Sequence, residues 1–436
     1  MIERVFRRKG GEAIDLEAVE QALREMGQRL SGRVLEKVLN ADGGLYKGSR
    51  IDCGKGHQAK YHGQREKQLT TVVGPVSVQR AYYHCRRCQA GVVPKDIELD
   101  VVGTSFSPGV KRMMGFVGGR EAFLDGRISL KELAGIEIST KAVERTAEAI
   151  GEEIEGMMRH ELEIVTSGKV VLLERRQSIA TMYVAMDGTG VPVVPRETQG
   201  RKGRGDDGKA KTREAKLGCV FTQTVIDKNG RPVRDEKSTT YVGGIEEAGL
   251  FGKRVYAEAV RRGLNQSNRV VVLGDGAPWI WGIADMHFTG AIQIVDLYHA
   301  LQRLAEVGKS VYGTQSSKWK EWAEPRGEAL NRGDVESVVK SLRRLRPLEL
   351  IGKKSVLNAI DYFQTNTQRM RYGEFREAGL FIGSGVVEAA CKTVIGKRLK
   401  QSGMWWTVRG ANAILWLRCC QLSGRWEDHW EARRAG

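Results

Sequence analysis

Short apolar runs that end in a lone acid followed by glycine organise this chain. In TMYVAMDGTG, residues 181–190, Val184, Ala185 and Met186 lead into Asp187, and Gly188 and Gly190 follow it. A run this short predicts a buried strand with a carboxylate at its end and a turn straight after. The pattern returns in RVVVLGDGA, residues 269–277, where Val270 to Leu273 lead to Asp275 and Gly276. A third run, AIQIVD, ends at Asp296, with His299 shortly beyond. Asp and Gly are ordinary turn residues, and each motif alone is accounted for that way. Two strands that each deliver a carboxylate, with a further acid downstream, point instead to a divalent-metal site.

The rest of the pattern predicts alternating texture. Leu16–Leu39 repeats at helical spacing, with a break expected at Ser31-Gly32. From Asp52 to Pro94 short β-like pieces take over, with Gly74-Pro75 as the turn of a hairpin. Cys53 and His57 precede that hairpin, and Cys85 and Cys88 close it. Two ligand pairs on knuckle turns are the layout of a zinc ribbon, with His57, His62 or His84 filling the place of a missing second cysteine, and one structural Zn²⁺ is the expectation; the alternatives are a metal-free hairpin with free thiols and a redox CxxC. Residues 105–158 turn helical again. Ser129 and Glu132 fit a capping box, Gly135 a helix stop, and Ser139 the N-cap of a helix over Thr140–Gly151. Val143, Ala147, Ile150 and Ile154 form its apolar stripe, leaving Lys141 and Arg145 outward. Such a helix pair fits a helix-turn-helix that contacts DNA, or simple packing.

Beyond residue 170 the expected order is strand to Asp187, a return strand at Val191–Val194, a third strand over Leu217–Ile226, a helix over Ile245–Gly263, the Asp275 strand, a helix and the Asp296 strand. Three antiparallel strands followed by two parallel ones is the order of an RNase H-like α/β core. There the first and fourth strands lie side by side, so Asp187 and Asp275 would meet. Residues 299–377 are helical in texture and read as an inserted all-α domain. After it, Glu388 sits among Val386, Val387, Ala389 and Ala390, with Ser384 as a possible cap; an acid in so apolar a setting is the expected third carboxylate.

Composition then narrows the partner. The 436 residues are 41% hydrophobic and 28% charged, which describes a globular chain with more than one core. No apolar run approaches the roughly 20 residues of a membrane span, and Met1–Glu20 lacks a signal-peptide stretch, so no membrane partner and a cytoplasmic location are expected. A net charge of +17 spread along the chain points to nucleic acid. Seven cysteines fit thiols or metal ligands in a reducing compartment. Arg196–Lys216 is glycine-rich and basic, either a phosphate-collecting loop with Arg201, Lys202 and Arg204 or a solvated one. Lys392, Arg398 and Lys400 follow Glu388 as further DNA contacts. Trp279, Trp281, Trp405 and Trp406 are candidates to stack on an unpaired base, with core roles expected for at least two of them and Trp405 kept as the DNA contact.

The segments MDGTGVPVVPRETQGR, KLGCVFTQT, LGDGAPWIWGIADMHFTGAIQIVDLYHA, IGSGVVEAACKTVIGKRLKQSGMWW and RGANAILWLRCCQLSGRWEDHW together resemble the ISKra4 family of bacterial insertion-sequence transposases. The resemblance extends over nearly the whole chain. It implies an RNase H-like DDE transposase with Asp187, Asp275 and Glu388 binding two Mg²⁺ (or Mn²⁺) ions. Asp296 and His299 resemble the acid-x2-His motif of Mutator-like transposases, which also carry a helical insertion before the last glutamate. Lys55 stands where many relatives have a second ribbon cysteine, which implies either a degraded zinc site or one completed by His57. The implied layout is a helical lead-in (1–45), zinc ribbon (46–100), helix-turn-helix (101–165), catalytic core (170–299 and 379–436) and helical insertion (300–378). The implied activity is binding of terminal inverted repeats, cleavage by water, and attack of the freed 3′-hydroxyl on target DNA by a homo-oligomer associated with the nucleoid. A structure-specific RNase H-like nuclease or resolvase and a non-catalytic DNA-binding descendant of a transposase are the rivals.

Overall fold

The computed structural model describes residues 15–167, 178–203 and 208–435. The chain divides into two compact units, Met1–Ala147 and Glu148–Gly436.

The first unit begins with helix α1 (Leu16–Asn40), capped by Asp15, whose carboxylate accepts the Ala18 N–H at 3.0 Å. No break occurs at Ser31-Gly32. Gly32 is buried, and a Cβ there would stand 3.2 Å from the Val73 carbonyl oxygen, so this glycine serves close packing and leaves the helix intact. Leu35 and Leu39 pack against Leu69, Val76, Val78 and Val101, while Leu16, Leu23, Met26, Leu30 and Val34 remain exposed. A four-stranded antiparallel sheet follows in the order β1 (Arg50–Asp52), β2 (Gln58–Thr71), β3 (Gly74–Cys85) and β4 (Ala90–Val92). Thr71 pairs with Gly74, so the hairpin turns at Val72-Val73, and Gly74-Pro75 opens the returning strand. Helix α2 (Pro94–Glu98) leads to α3 (Pro108–Arg120), α4 (Phe123–Ala134) and α5 (Thr140–Thr166). Val110, Met114, Val117, Leu130, Ile136 and Val143 form the core of this helical part.

Two boundaries differ from the sequence reading. Ser129 lies inside α4 and its hydroxyl donates to Glu121 at 2.7 Å, so the expected capping box is not used. Gly135 does end that helix, in the left-handed region at φ 65°, and the Ser139 hydroxyl accepts the Ala142 N–H at 3.1 Å as a cap. Helix α5 runs on past Gly151 to Thr166. In the second unit Gly151 lies against the backbone of residue Ala413, and a Cβ there would overlap the Ala413 carbonyl. Gly151→Ala is therefore expected to destabilise the protein by about 1–3 kcal/mol through overpacking. The check is the denaturation midpoint; an unchanged value would mean that this close approach is not part of the stable fold.

The second unit is built on a five-stranded mixed sheet in the order β11-β10-β5-β6-β9, comprising β5 (Thr181–Pro192), β6 (Thr212–Gln223), β9 (Thr240–Gly244), β10 (Val270–Gly274) and β11 (Ile292–Val295). A small hairpin of β7 (Val225–Ile226) and β8 (Pro232–Val233) lies outside it. Strands β5, β6 and β9 pair antiparallel, whereas β10 pairs parallel with both β5 and β11. Met182 to Met186 are all fully buried, as expected of a central strand covered on both faces. Val191 continues β5 rather than starting a return strand. Gly188 and Gly190 stay in register opposite Lys216 and Glu214, and any Cβ on them would crowd the side chains of Glu214 and Thr212. The return strand is β6, and the third antiparallel member is the short β9, with Gly243 tight against Leu415.

Helices α6 (Ala248–Arg261) and α7 (Pro278–His287) flank the sheet strands in sequence. Between β11 and residue 384 come α8 (Leu297–Tyr312), α9 (Lys318–Arg332), α10 (Val335–Arg343), α11 (Leu350–Thr365) and α12 (Tyr372–Glu377). The chain ends through α13 (Gly385–Ala390), a π-helical stretch Cys391–Gly396, α14 (Lys397–Leu399), α15 (Val408–Leu422) and α16 (Trp426–Ala435). The whole is a mixed α/β protein. Among the described residues no helix is long and apolar enough to cross a membrane.

Candidate functional site

Strand register sets the acids in a row. Leu273 pairs with Ala185, so continuing that parallel register by two residues places Asp275 beside Asp187. Gly274 pairs with Val295, and one further step places Asp296 beside Asp275. Neighbouring strands lie about 4.8 Å apart, and residues in one row share a face. Asp187 is thus not at a strand tip. It sits where β10 stops, while β6 opposite it still pairs with β9; beyond Gly188 strands β5 and β6 run on as a two-stranded ribbon, through Pro192 opposite Thr212.

The three aspartates have different surroundings. Burial, helped by the Asp275 charge, pushes the Asp187 carboxyl above its ordinary pKa, while the Cys391 thiol, the Gly188 N–H and His299 pull it down. Asp275 accepts the Ala277 N–H at 2.9 Å, and its own carbonyl oxygen accepts the Tyr362 hydroxyl at 3.0 Å. Between them Gly276, at φ +101°, leaves no room for a Cβ against the Tyr362 ring. Asp296 is fully buried and structurally committed: it accepts the His299 N–H at 3.0 Å, capping α8, and accepts both the N–H and the hydroxyl of Ser384. Ser384 is therefore held by Asp296 and makes no side-chain cap on α13.

Glu388 arrives from α13, with one carboxylate oxygen 3.2 Å from His299 Nε2; the two side chains are 36% and 30% exposed. The π-helical stretch directly after it loosens the backbone ladder. Arg418 of α15 answers that by donating from Nε to the Val394 carbonyl at 2.5 Å and from Nη2 to the Thr393 carbonyl. Single π-turns of this kind recur at functional sites. Here the turn carries Cys391, whose thiol pKa is driven far up by burial and by Asp187, so it stays a donor to that carboxylate.

The first unit holds a second cluster. Cys53 and His57 sit on the turn between β1 and β2, closed by the Cys53 N–H donating to the His57 carbonyl at 2.9 Å. Cys85 and Cys88 sit on the turn between β3 and β4, where the Cys88 N–H points at Cys85 Sγ at 3.5 Å. The four ligand atoms all lie within 4.8 Å of one another, so this group can hold a metal ion. Cys53 Sγ and Cys88 Sγ are 3.6 Å apart, and His57 Nδ1 is 3.1 Å from Cys88 Sγ. Tetrahedral zinc with Zn–S near 2.3 Å puts sulfurs about 3.8 Å apart, so the donor set and spacing fit Zn²⁺. Desolvation and the neighbouring Cys53 and Cys85 push Cys88 up to about 11, a crowding of thiols that a bound cation relieves. Among the described residues the acids of the second unit form no such tight group. Ions about 3.5–4 Å apart need ligands spread more widely than one coordination shell.

The remaining candidates separate into exposed and buried. Lys141 is exposed and ion-paired to Glu144 at 2.6 Å, and Arg145 is exposed. Trp405, 55% exposed, lines a cavity of about 670 Å³ with Arg196, Arg201, Lys209 and Lys211, which joins two sequence-distant candidates. Lys202 bridges to Lys209, and Arg204 falls outside the described residues. Lys392 is exposed, and Lys400 donates to the Thr189 hydroxyl at 2.8 Å, beside the ribbon that carries Asp187. Arg398 is a correction. It is fully buried, 5.1 Å over the Trp406 ring with Nη1 directed at Met404 Sδ, and does not face solvent where a DNA phosphate would lie. Trp281 and Trp406 are core residues, Trp406 donating to the Leu399 carbonyl at 3.1 Å, and Trp279 is half-buried edge-on to Phe251.

No protein-family model matches the chain, and no curated protein matches it. Among solved structures the chain is similar to the Drosophila P element transposase strand transfer complex, at a TM-score of 0.23 and 9% identity, covering 74% of this chain and 80% of that one. A likeness at that score carries no argument about fold or chemistry.

Several site residues escaped the sequence reading. Tyr362 lies in the helical segment far from any acid motif, and Cys391 and Arg418 matter only because the backbone widens after Glu388. The Asp296–Ser384 contact had a partial signal, since both flank apolar runs, but nothing in the spacing paired them.

Proposed function

We propose that this chain is a DNA transposase of the kind the ISKra4 resemblance implies, with an RNase H-like core that cleaves and joins DNA. What supports the reading most is that the Asp275 charge acts on Asp187, as the parallel pairing of their strands leads one to expect, while His299 acts on Asp187 and contacts Glu388. The strand order, an antiparallel trio followed by two parallel strands beside its first member, supports the RNase H-like assignment. On this reading residues 170–299 and 379–436 are the core, 300–378 the insertion, and 46–100 and 101–165 hold terminal repeats.

The acid cluster fits Mg²⁺ or Mn²⁺ by the chemistry of its donors. Asp187 and Asp275 are hard oxygen ligands, and the Asp275 charge disfavours that of Asp187, a conflict that divalent cations relieve. Two such ions, when bound, supply an activated water or hydroxyl and stabilise the leaving oxygen. The chain's own residues do the positioning. Cys391 and the Gly188 N–H orient the Asp187 carboxylate, Tyr362 fixes the Asp275 backbone, and His299 holds Glu388. Asp296, spent on Ser384 and the start of α8, anchors the segment that delivers Glu388. Lys400, Lys392 and the Trp405 cavity lie exposed for DNA, and joining two ends in concert calls for more than one copy.

The test uses duplexes that end in the element's terminal repeat and random duplexes, incubated with the full chain and Mg²⁺ or Mn²⁺. Nicking at the repeat end and joining of the freed 3′-hydroxyl to a second duplex are expected. Equal cutting of random branched DNA would move the reading to a structure-specific nuclease. Repeat binding without metal-dependent cutting would leave a DNA-binding descendant.

A further inference from the structure

Beside the Cys/His cluster lies a recess of about 520 Å³ lined by Arg50, His57, Lys60, His84, Arg86 and Arg87. Its basic character is built by register. Arg50 pairs across to Lys60, and Lys60 to His84, in one row over three strands. Like charges directly opposite one another in a sheet are destabilising, so a fold that keeps Arg50 against Lys60 gains from an anion between them. Arg86 and Arg87 come from the turn that carries Cys85 and Cys88. All four cations are exposed, and among the described residues none has an acidic partner.

His57 links the recess to the cluster. Its Nδ1 faces Cys88 Sγ, which makes that nitrogen the metal-side atom, and among the described residues its Nε2 has no partner. A metal-bound histidine almost always donates its other N–H to an acceptor, and that acceptor tunes metal affinity. The charged groups lining the recess are all cations, with Gln58 and Gly56 as its neutral members, so an anion from outside is the acceptor that also answers the charge.

We infer that this recess binds a backbone phosphate of nucleic acid, and that the phosphate accepts from His57 Nε2 and completes the outer shell of the metal centre. The inference rests on the DNA-binding reading above and adds a named contact and a linkage. The metal ties the two turns together and so fixes the distance between Arg86 and Arg87 on one and Lys60 on the neighbouring strand. Phosphate and metal then strengthen each other's binding, because coupling between two sites is reciprocal.

The experiment uses the full zinc-loaded chain and a labelled duplex, with affinity followed by fluorescence anisotropy from low to moderate salt. Arg86→Ala combined with Arg87→Ala is expected to reduce the slope of log K against log salt by about 1, the share of one phosphate contact, and Lys60→Ala by no more than that. Chelator competition is expected to show zinc affinity rising roughly 10-fold with duplex present in the wild type and not in the double variant. A melting curve confirms that these surface variants fold. An unchanged slope and unchanged zinc linkage would overturn the inference while leaving the cleavage assay of the acid cluster standing. A wild type that binds no duplex would remove both readings. If millimolar inorganic phosphate tightens zinc as much as duplex does, the site is for a free anion and the nucleic-acid assignment fails.

Discussion

Asp187→Asn is expected to abolish DNA cleavage and, at the same time, to raise the melting temperature of the metal-free protein. The two effects have one origin. Burial and the neighbouring Asp275 hold the Asp187 carboxyl above its ordinary pKa, so the folded state disfavours its charged form. Between the unfolded value, about 3.9 for aspartate, and the raised folded value, the folded chain binds more protons than the unfolded one. Metal-free stability therefore falls as pH rises through that window. Asparagine keeps the shape and an acceptor for the Gly188 N–H but carries no charge, so the loss disappears. A gain of about 1 kcal/mol, or roughly 2–4 °C, is expected. Cleavage should fall by roughly 10⁴-fold or more, as for removal of other catalytic carboxylates. Mg²⁺ or Mn²⁺ should raise the wild-type melting temperature and leave the variant nearly unmoved. Melts at acid and neutral pH, with and without metal, read all of this. A variant that melts lower than wild type in metal-free neutral buffer would sink the account of Asp187 as a strained ligand, whatever its cleavage rate.

How far the sequence revealed this site depends on what kind of information each residue carries. The acid at the end of an apolar run was legible because a strand buried on both faces must be apolar throughout, and Asp187 interrupts that rule. Its neighbours Gly188 and Gly190 were misread as a turn, since glycine signals a missing side chain and not the reason it is missing. Here the reason is the width of Glu214 and Thr212 on the paired strand. Gly32 and Gly151 misled in the same way, each marking a close approach inside a helix. Strand β9 was missed because Thr240–Gly244 is short and carries two glycines, leaving no alternation to detect. Arg398 read as a DNA contact because charge normally stays in water; its burial over Trp406 depends on a fold-level pocket that spacing does not encode. The contacts Asp296–Ser384, Asp275–Tyr362 and Asp187–Cys391 join segments far apart in the chain, and no local spacing pairs them.

Cys88→Ser is the second large effect, and it acts on the other unit. Cys88 Sγ is the atom shared between its neighbours, 3.6 Å from Cys53 Sγ and 3.1 Å from His57 Nδ1. Serine offers no thiolate, so zinc should be lost, and with it the tie between the β1–β2 and β3–β4 turns. The apolar support at that end of the sheet is thin: Ala59, Ala81, Tyr83 and Cys85 are its buried members. A structural zinc in so small a cluster contributes folding energy directly, about 10 kcal/mol or more in apparent terms for zinc-finger peptides. The opposite end is held separately by Leu69, Val76, Val78 and Val101 under α1, so the loss should be local fraying and not collapse of the unit. Limited proteolysis should therefore cut Cys88→Ser between Arg50 and Val92 while sparing the helical part, and metal analysis should fall from one zinc per chain to none. Treating wild type with chelator should reproduce the pattern, and treating the variant should add nothing, because both remove the same tie. If the variant keeps its zinc, or if chelator destabilises it further, the metal sits elsewhere and the ribbon at Cys53, His57, Cys85 and Cys88 is held by packing alone.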